Sequence, residues 1–161
     1  MIRRAEKKDM ARLDELLYQV QRVHAEGRPD IFKLGEKKYT DAELEAILAD
    51  DEKPVFVSEQ EGEIRGYAFC VYQTQPETNQ VHARKSLYID DLCVDEKARG
   101  QHVGTELYRY VVQTAEAAGC DSVTLNVWAL NEGARRFYDR MGLMPLKTTM
   151  EKVLGADHQN P

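Results

Sequence analysis

Apolar residues recur at intervals of three and four in four stretches of this chain. The positions are Leu13, Leu16, Leu17 and Val20; Leu44, Ile47 and Leu48; Val103, Leu107, Val111 and Ala115; and Ala134, Phe137, Tyr138 and Met141. Such intervals place side chains on one face of an α-helix. The pattern therefore predicts four helices, each with one apolar face.

Residues at the ends of these stretches fit helix boundaries. Asp9 is expected to cap the first helix, and Thr40 with Glu43 forms a capping box for the second. Asn131 precedes the fourth helix, and Gly142 follows it at the position where a C-terminal glycine belongs.

Shorter apolar runs predict β-strands at residues 2–5, 54–59, 64–73, 87–94, 122–127 and 144–153. A polar turn joins the second and third runs as a hairpin. Strands and helices then alternate, which favours α/β layers around one sheet. The pattern predicts one α/β (α+β) domain over residues 1–155 with a mixed sheet, and a polar tail at residues 156–161.

Composition narrows the function classes. A net charge of −6 argues against nucleic-acid binding, which needs Lys and Arg to neutralise phosphates. No apolar run approaches the roughly 20 residues that span a membrane, and the N-terminus lacks the apolar stretch of a secretion signal. The spacing of the cysteines and histidines predicts neither a disulfide framework nor a metal site. We therefore expect a cytoplasmic protein with no metal, no nucleic-acid partner and no membrane contact.

Residues 90–105 carry the most informative local pattern. A predicted strand with two acids is followed by a short polar loop and a helix that begins near His102. A glycine-bearing loop that leads into a helix exposes backbone N–H groups at the positive end of the helix dipole, where phosphate binds. Arg99 adds positive charge. Gly100 and Gly104 match neither a P-loop nor a dinucleotide fingerprint, so a simple tight turn is the alternative.

The fourth helix supplies the second pattern. An aromatic pair on a helix face usually belongs to the core, and this interpretation fits Phe137. Tyr138 differs, because a buried tyrosine hydroxyl needs a polar partner. A tyrosine at the edge of a cleft can also act as a general acid.

Together, the two patterns resemble the GCN5-related N-acetyltransferase (GNAT) superfamily. That family has a strand ending in Leu-x-Val, then Arg/Gln-x-x-Gly-x-Gly/Ala at a helix start, and later Asn-x-x-Ala-x-x-Phe-Tyr-x-x-x-Gly. The matching positions are Leu92-Cys93-Val94, Arg99-Gly100-Gln101-His102-Val103-Gly104, and Asn131, Ala134, Phe137, Tyr138 and Gly142. The order of predicted elements also agrees. One departure is His102, which stands at the family's middle glycine and is accommodated if its φ stays negative.

The resemblance implies a mixed, mostly antiparallel sheet of six to seven strands flanked by about four helices. Two parallel strands, here residues 87–94 and 122–127, splay apart to hold acetyl-CoA. The implied coenzyme contacts are the backbone of Leu92, Cys93 and Val94 and the side chain of Asn131 for the pantetheine, and the amides of Arg99, Gly100, Gln101, His102, Val103, Gly104 and Thr105 for the pyrophosphate.

The resemblance also implies catalytic roles. Tyr138 resembles the general acid that protonates the departing thiolate, and Asp90 resembles the acid that takes the amine proton. Asp91, assigned to substrate binding, faces the other way on a regular strand. A bulge common in the family leaves open which acid faces the cleft. Trp128 either walls the acceptor pocket or packs in the core.

The predicted function is transfer of an acetyl group from acetyl-CoA to a primary amine by direct attack in a ternary complex. The acceptor is a small-molecule or peptide amine: a small amine, a protein N-terminus or a lysine. A covalent route through Cys93 competes with its interpretation as a small buried hydrophobe. The alternatives are a transferase for another acyl-CoA or an alcohol, and a non-catalytic acyl-CoA-binding module. A homodimer is a candidate assembly, because dimers are common in the family.

Overall fold

The computed structural model describes residues 1–155. The tail predicted at residues 156–161 lies outside the described residues. The strands are β1 (Ile2–Arg4), β2 (Val55–Gln60), β3 (Glu63–Gln75), β4 (Arg84–Val94) and β5 (Ser122–Leu125). The helices are α1 (Met10–Gly27), α2 (Asp41–Leu48), α3 (Val103–Ala117) and α4 (Glu132–Arg140), with short 3-10 turns at Lys7–Asp9 and Glu96–Ala98.

The strands form one sheet in the order β1-β2-β3-β4-β5. Pairs β1–β2, β2–β3 and β3–β4 are antiparallel, and β4–β5 is parallel, which confirms the predicted α/β class and mixed sheet. The hairpin β3–β4 is longer than predicted, and its loop shrinks to residues 76–83. Among the described residues, no helix is long and apolar enough to cross a membrane.

The prediction of a strand at residues 144–153 is wrong, and the sheet of residues 1–155 has five strands rather than six or seven. The stretch belongs to no strand ladder, and its apolar side chains, including Met144 and Met150, are exposed. Alternation of apolar residues favours an extended backbone, but a strand also needs a neighbour to accept and donate its hydrogen bonds.

Two apolar layers cover the sheet. Helices α1 and α2 pack one face through a cluster that includes Leu13, Leu16, Leu44, Val55, Val57, Tyr67 and Phe69. Helix α3 packs the other face through a cluster that includes Phe56, Ala68, Leu87, Ile89, Leu107 and Val111. Consecutive residues of β2 and β3 fall in different layers because side chains alternate along a strand.

The predicted cap position of Asp9 on α1 is confirmed, but its side chain does not form the cap. Asp9 precedes Met10 at the start of the helix, but its carboxylate makes no cap hydrogen bond to α1. Its oxygens instead accept from Arg3 at 2.8 and 3.0 Å and from the Glu6 amide at 2.8 Å. The carboxylate therefore joins β1 to the 3-10 turn. The capping box of Thr40 and Glu43 on α2 is confirmed.

Gly66 on β3 lets α3 approach the sheet closely. A Cβ at this position would lie 2.7 Å from the carbonyl oxygen of Cys93 and 3.1 Å from side-chain carbons of Val103 and Leu107. No side chain fits in that space. The first turns of α3 therefore lie next to the end of β4.

Candidate active site

Strands β4 and β5 pair along only part of β4. The parallel register runs from Ser86 opposite Ser122 to Ile89 opposite Leu125, where β5 ends. Residues 90–94 of β4 thus have no strand partner on this side, although β3 pairs with residues 91–94 on the other side. The backbone of Leu92, Cys93 and Val94, expected to hold the pantetheine, lies along this open stretch.

A β-bulge in β4 changes the direction in which the side chains of Asp90 and Asp91 point. Phe69 on β3 pairs with Asp91 and Cys70 pairs with Ile89, so Asp90 is an extra residue on β4. A bulge of this kind breaks the alternation of side chains. As a result, both carboxylates reach one ammonium: Lys38 Nζ lies 3.4 Å from Asp90 Oδ2 and 3.7 Å from Asp91 Oδ2. The side chains of Asp90 and Asp91 therefore do not point in opposite directions, as those of neighbouring residues on a regular strand would.

The two acids lie in different surroundings. The Asp91 side chain is 10% exposed and accepts a 2.8 Å hydrogen bond from the Tyr67 hydroxyl. Burial raises the pKa of Asp91, against the opposing effect of the nearby Lys38 charge. The Asp90 side chain is 36% exposed and accepts from the Tyr39 hydroxyl at 3.3 Å. One carboxylate is therefore fixed in the interior, and the other reaches solvent.

Tyr138 lies on α4, a helix with no fully buried residue. Its ring is partly buried and packs edge-on against Phe137, with the ring centroids 5.1 Å apart. Burial raises the pKa of Tyr138, and the negative charge of Asp91 adds to the effect. Its hydroxyl makes no hydrogen bond within residues 1–155. Tyr138 thus presents a protonated hydroxyl that is free to donate.

The loop before α3 needs left-handed backbone at two positions. Gly100 has φ +81°, and His102 has φ +64°. The expectation of a negative φ at His102 is wrong, because the chain turns from the 3-10 segment at Glu96–Ala98 into α3 within four residues. A glycine takes this conformation freely, whereas a histidine adopts it at some cost in backbone strain.

The N-terminus of α3 is open to an anion. His102 occupies the cap position but makes no side-chain cap hydrogen bond, so the first-turn amides have no side-chain acceptor. The exposed guanidinium of Arg99 forms no ion pair with a carboxylate of the described chain. Backbone amides, helix dipole and Arg99 together match the requirements of a pyrophosphate group.

Gly104 lies where α3 contacts β4 and α4. A Cβ there would lie 3.4 Å from a ring carbon of Phe137 and 3.4 Å from a methyl of Val94. These are ordinary van der Waals distances, so the start of α3 lies in contact with the end of β4 and with helix α4. Phe137 is partly buried at this junction and belongs to no fully buried core cluster.

Asn131 and Trp128 flank the start of α4. The Asn131 side-chain oxygen accepts a 3.1 Å hydrogen bond from the Ala134 amide, which confirms its capping role. Trp128 is 42% exposed, which removes the core interpretation. Its ring lies edge-on to Phe32 at 5.0 Å, and Phe32 stacks on His24 at 4.9 Å. These three rings form an aromatic group beside the end of α1.

The Cys93 thiol is buried and lies 3.8 Å from the carbonyl oxygen of Leu16. Burial raises the pKa of Cys93 to about 12. A thiol with this pKa remains protonated near neutral pH and is a poor nucleophile. The structure therefore favours the small buried hydrophobe over the covalent route. Residues 1–155 contain no group of three or more potential metal ligands.

Sequence reasoning missed two residues of this site, Lys38 and Tyr67. The detectable signal for Tyr67 was a tyrosine within an apolar strand, since a tyrosine hydroxyl that becomes buried there needs a polar partner. The structure shows that Tyr67 is fully buried. Lys38 lies in the loop between α1 and α2, a segment without a recognisable motif. Its contact with Asp90 spans 52 residues of sequence, and no local pattern predicts it.

Known proteins resemble this chain in sequence and in structure. The chain is 37% identical over 90 residues to a 5-NmdU N-acetyltransferase of Pseudomonas phage PaMx11, covering 55% of each chain. It is 28% identical over 113 residues to an uncharacterised N-acetyltransferase of Methanocaldococcus jannaschii, covering 70% of this chain and 49% of the relative. The chain thus spans about half the length of these curated relatives.

A crystal structure of a mutant BH1408 protein from Bacillus halodurans is similar over 96% of this chain and 99% of its own, with a TM-score of 0.93 and 30% identity. The profile of the acetyltransferase (GNAT) family matches residues 17–143, which include the bulge, the loop before α3 and the Tyr138 helix. Because this family profile covers most of the chain, the chain belongs to the acetyltransferase (GNAT) family.

Proposed function

We propose that this chain transfers an acetyl group from acetyl-CoA to a primary amine. The proposal rests on one observation: the carboxylates of Asp90 and Asp91 both contact the ammonium of Lys38. This contact lies at the bulge, where the pairing of β4 with β5 has ended. A site that binds an ammonium next to an open strand edge suits an amine acceptor and an extended thioester donor.

The donor site has three features that fit coenzyme A. The open stretch of β4 offers backbone groups to the pantetheine amides, as a neighbouring strand would. The uncapped amides of α3 and the charge of Arg99 suit the pyrophosphate. Asn131 lies at the start of the adjacent helix. The coenzyme supplies the acetyl group as a thioester.

The chain's own groups then move two protons. A protonated amine is attracted by the two carboxylates and must lose a proton before it can attack a carbonyl carbon. Asp90 is proposed to accept that proton, because its exposed carboxylate can pass it to solvent. Tyr138 is proposed to donate a proton to the departing sulfur, because its raised pKa keeps the hydroxyl protonated. Attack is direct, since Cys93 is a buried, protonated thiol.

The acceptor is proposed to be cationic and to approach past the aromatic group of His24, Phe32 and Trp128. Aromatic faces attract alkylammonium groups, and Trp128 is exposed for contact. Burial lowers the pKa of His24. Its ring is therefore mostly neutral near neutral pH, and it does not repel a cation there. Small amines, peptide N-termini and lysines all present such a group.

The test is to mix the pure chain with acetyl-CoA and a panel of polyamines, aminoglycosides, amino acids and peptides, and to follow free thiol release. We expect release that depends on both the donor and at least one amine, with acetyl found on the amine nitrogen by mass spectrometry. Calorimetry with acetyl-CoA runs in parallel. Binding without turnover across the panel would favour a non-catalytic acyl-CoA-binding module and would contradict the proposal.

We also propose that two copies of the chain associate through residues 144–155. Met144, Leu146, Met150 and Leu154 of this segment are 72–86% exposed. The outer side of β5 faces no strand in the described sheet. A second copy offers both a segment with exposed apolar side chains and a free strand edge, so reciprocal exchange would satisfy both. The Glu151–Arg28 ion pair (2.9 Å) links the segment to the end of α1.

A further inference from the structure

Lys38 occupies the position that the proposed function gives to the acceptor amine. It lies in the loop between α1 and α2, and its Nζ contacts Asp90 Oδ2 at 3.4 Å and Asp91 Oδ2 at 3.7 Å. The same ammonium lies 5.5 Å from the centroid of the Tyr39 ring. Two carboxylates and an aromatic face thus surround it, and these are the groups that recognise alkylammonium ions.

The chemistry of Lys38 matches that of the proposed substrates. Its side chain ends in a primary alkylammonium, as do protonated polyamines and peptidyl lysines. An acceptor that places its amine on Asp90 and Asp91 would meet Lys38 already there. We propose that Lys38 is an internal occupant of the acceptor-amine subsite, and that a cationic acceptor must displace it before transfer.

The neighbouring lysine shows that this placement is not a general property of the loop. Lys37 pairs with Asp14 and Asp41 at 3.3 and 3.2 Å, away from the bulge, and its side chain is 60% exposed against 35% for Lys38. Lys37 therefore has a similar number of carboxylate partners but none from the proposed site. It provides a matched control for loss of one loop charge.

Lys38 rests in this subsite as a cation. The carboxylates, with Asp91 first among them, outweigh burial and raise the pKa of Lys38, so it competes with an acceptor as an ammonium. The other groups that face it are the Tyr39 hydroxyl and His24 of α1, whose pKa is lowered by burial. A partly exposed ion pair is weak, so a substrate amine can replace Lys38 at modest cost.

The inference rests on the proposed function, and it predicts the direction in which the KM for the amine changes when Lys38 loses its charge. In Lys38→Met the side chain keeps its unbranched shape, is one atom shorter and loses its charge, so the subsite is vacant when an acceptor arrives. We expect the KM for a simple cationic amine to fall about two- to fivefold, consistent with loss of a weak competing ion pair. The KM for acetyl-CoA should be unchanged, and kcat should change less than the amine KM.

The matched control is Lys37→Met, for which the amine KM should equal that of the parent. Thermal melts of both variants establish that each is folded, as expected for side chains on a surface loop. The measurement uses the amine from the panel that gives the highest turnover with the parent chain.

Three results would overturn the inference. A higher amine KM in Lys38→Met would mean that Lys38 attracts an anionic part of the acceptor. An unchanged KM would mean that Lys38 only supports the loop. Acetyl found on Lys38 after incubation with acetyl-CoA would make it an acceptor rather than a competitor. Absence of turnover by the parent with every amine would instead contradict the proposed function itself.

Discussion

At the scale of single residues, burial decides the protonation state of the proposed general acid. An exposed tyrosine loses its proton near pH 10.0, but burial raises the pKa of Tyr138 above that value. The protonated form therefore dominates at and above neutral pH, so Tyr138 can give a proton to a thiolate but cannot take one from an amine. The two carboxylates on β4 are left as the groups that can accept the amine proton.

Tyr138→Phe tests this role directly. The hydroxyl has no hydrogen bond within residues 1–155, so its removal leaves the packing of α4 intact. We expect kcat to fall about a hundredfold, the effect of losing a general acid, while KM for acetyl-CoA and the melting temperature stay close to those of the parent.

The control is Tyr110→Phe, which removes a hydroxyl from a ring that packs against Phe56 at 5.0 Å in the core layer under α3. This variant should retain the parent kcat. If Tyr138→Phe were as active as the parent, another group would have to protonate the sulfur.

At the scale of elements, the position of α3 depends on Gly66, which has no side chain. Gly66 lies opposite Val94, the last residue of β4, and beneath the first turns of α3. This close contact places the N-terminus of α3 beside the open edge of β4. Gly66 therefore affects both parts of the proposed coenzyme site.

Gly66→Ala should therefore destabilise the fold and weaken coenzyme binding. The new Cβ would lie 2.7 Å from a backbone oxygen, a contact that only a shift of β3, β4 or α3 can relieve. Overpacking of this kind costs about 1–3 kcal/mol. Chemical denaturation measures the loss of unfolding free energy, and calorimetry measures the affinity for coenzyme A.

Gly133→Ala is the matched control. A Cβ at Gly133 on α4 would have its nearest neighbour at 3.9 Å, an ordinary contact. Alanine also favours helix over glycine by about 1 kcal/mol. This variant should be as stable as the parent or more so. Equal stability of Gly66→Ala and the parent would show that α3 moves away without cost.

At the scale of the whole molecule, two features of residues 1–155 lack a strand partner. The outer side of β5 is a free sheet edge, and residues 144–155 carry exposed apolar side chains and join no strand. Exposed edges and apolar strands both favour association. A pair of chains that exchange these segments closes both surfaces at once.

Light scattering after gel filtration should therefore give the mass of two chains for the parent. The double substitution Leu146→Asp and Met150→Asp places charges on the segment and should shift the mass to that of one chain. Val81→Asp, an exposed apolar residue in the loop of the β3–β4 hairpin, should remain dimeric. A parent that runs as a single chain would contradict the assembly.

The sequence by itself determined the parts of this protein that depend on neighbours within one turn or one strand. Helix faces such as Leu107 and Val111, the Asn131 cap and the turn before α3 follow from spacings of a few residues. These local rules also carry the family resemblance. Five of the six predicted strands and all four helices appear in the structure because their periodicity is matched by a partner layer.

The tertiary structure alone decided the remainder. Pairing with β3 makes Asp90 a bulge and turns both acids toward Lys38, and only packing of the α1–α2 loop brings that lysine to them. Packing of α3 and the turn before it impose a left-handed backbone on His102. Residues 144–153 carry a strand pattern but no partner. Register and long-range contact depend on the assembled sheet, and a local pattern contains neither.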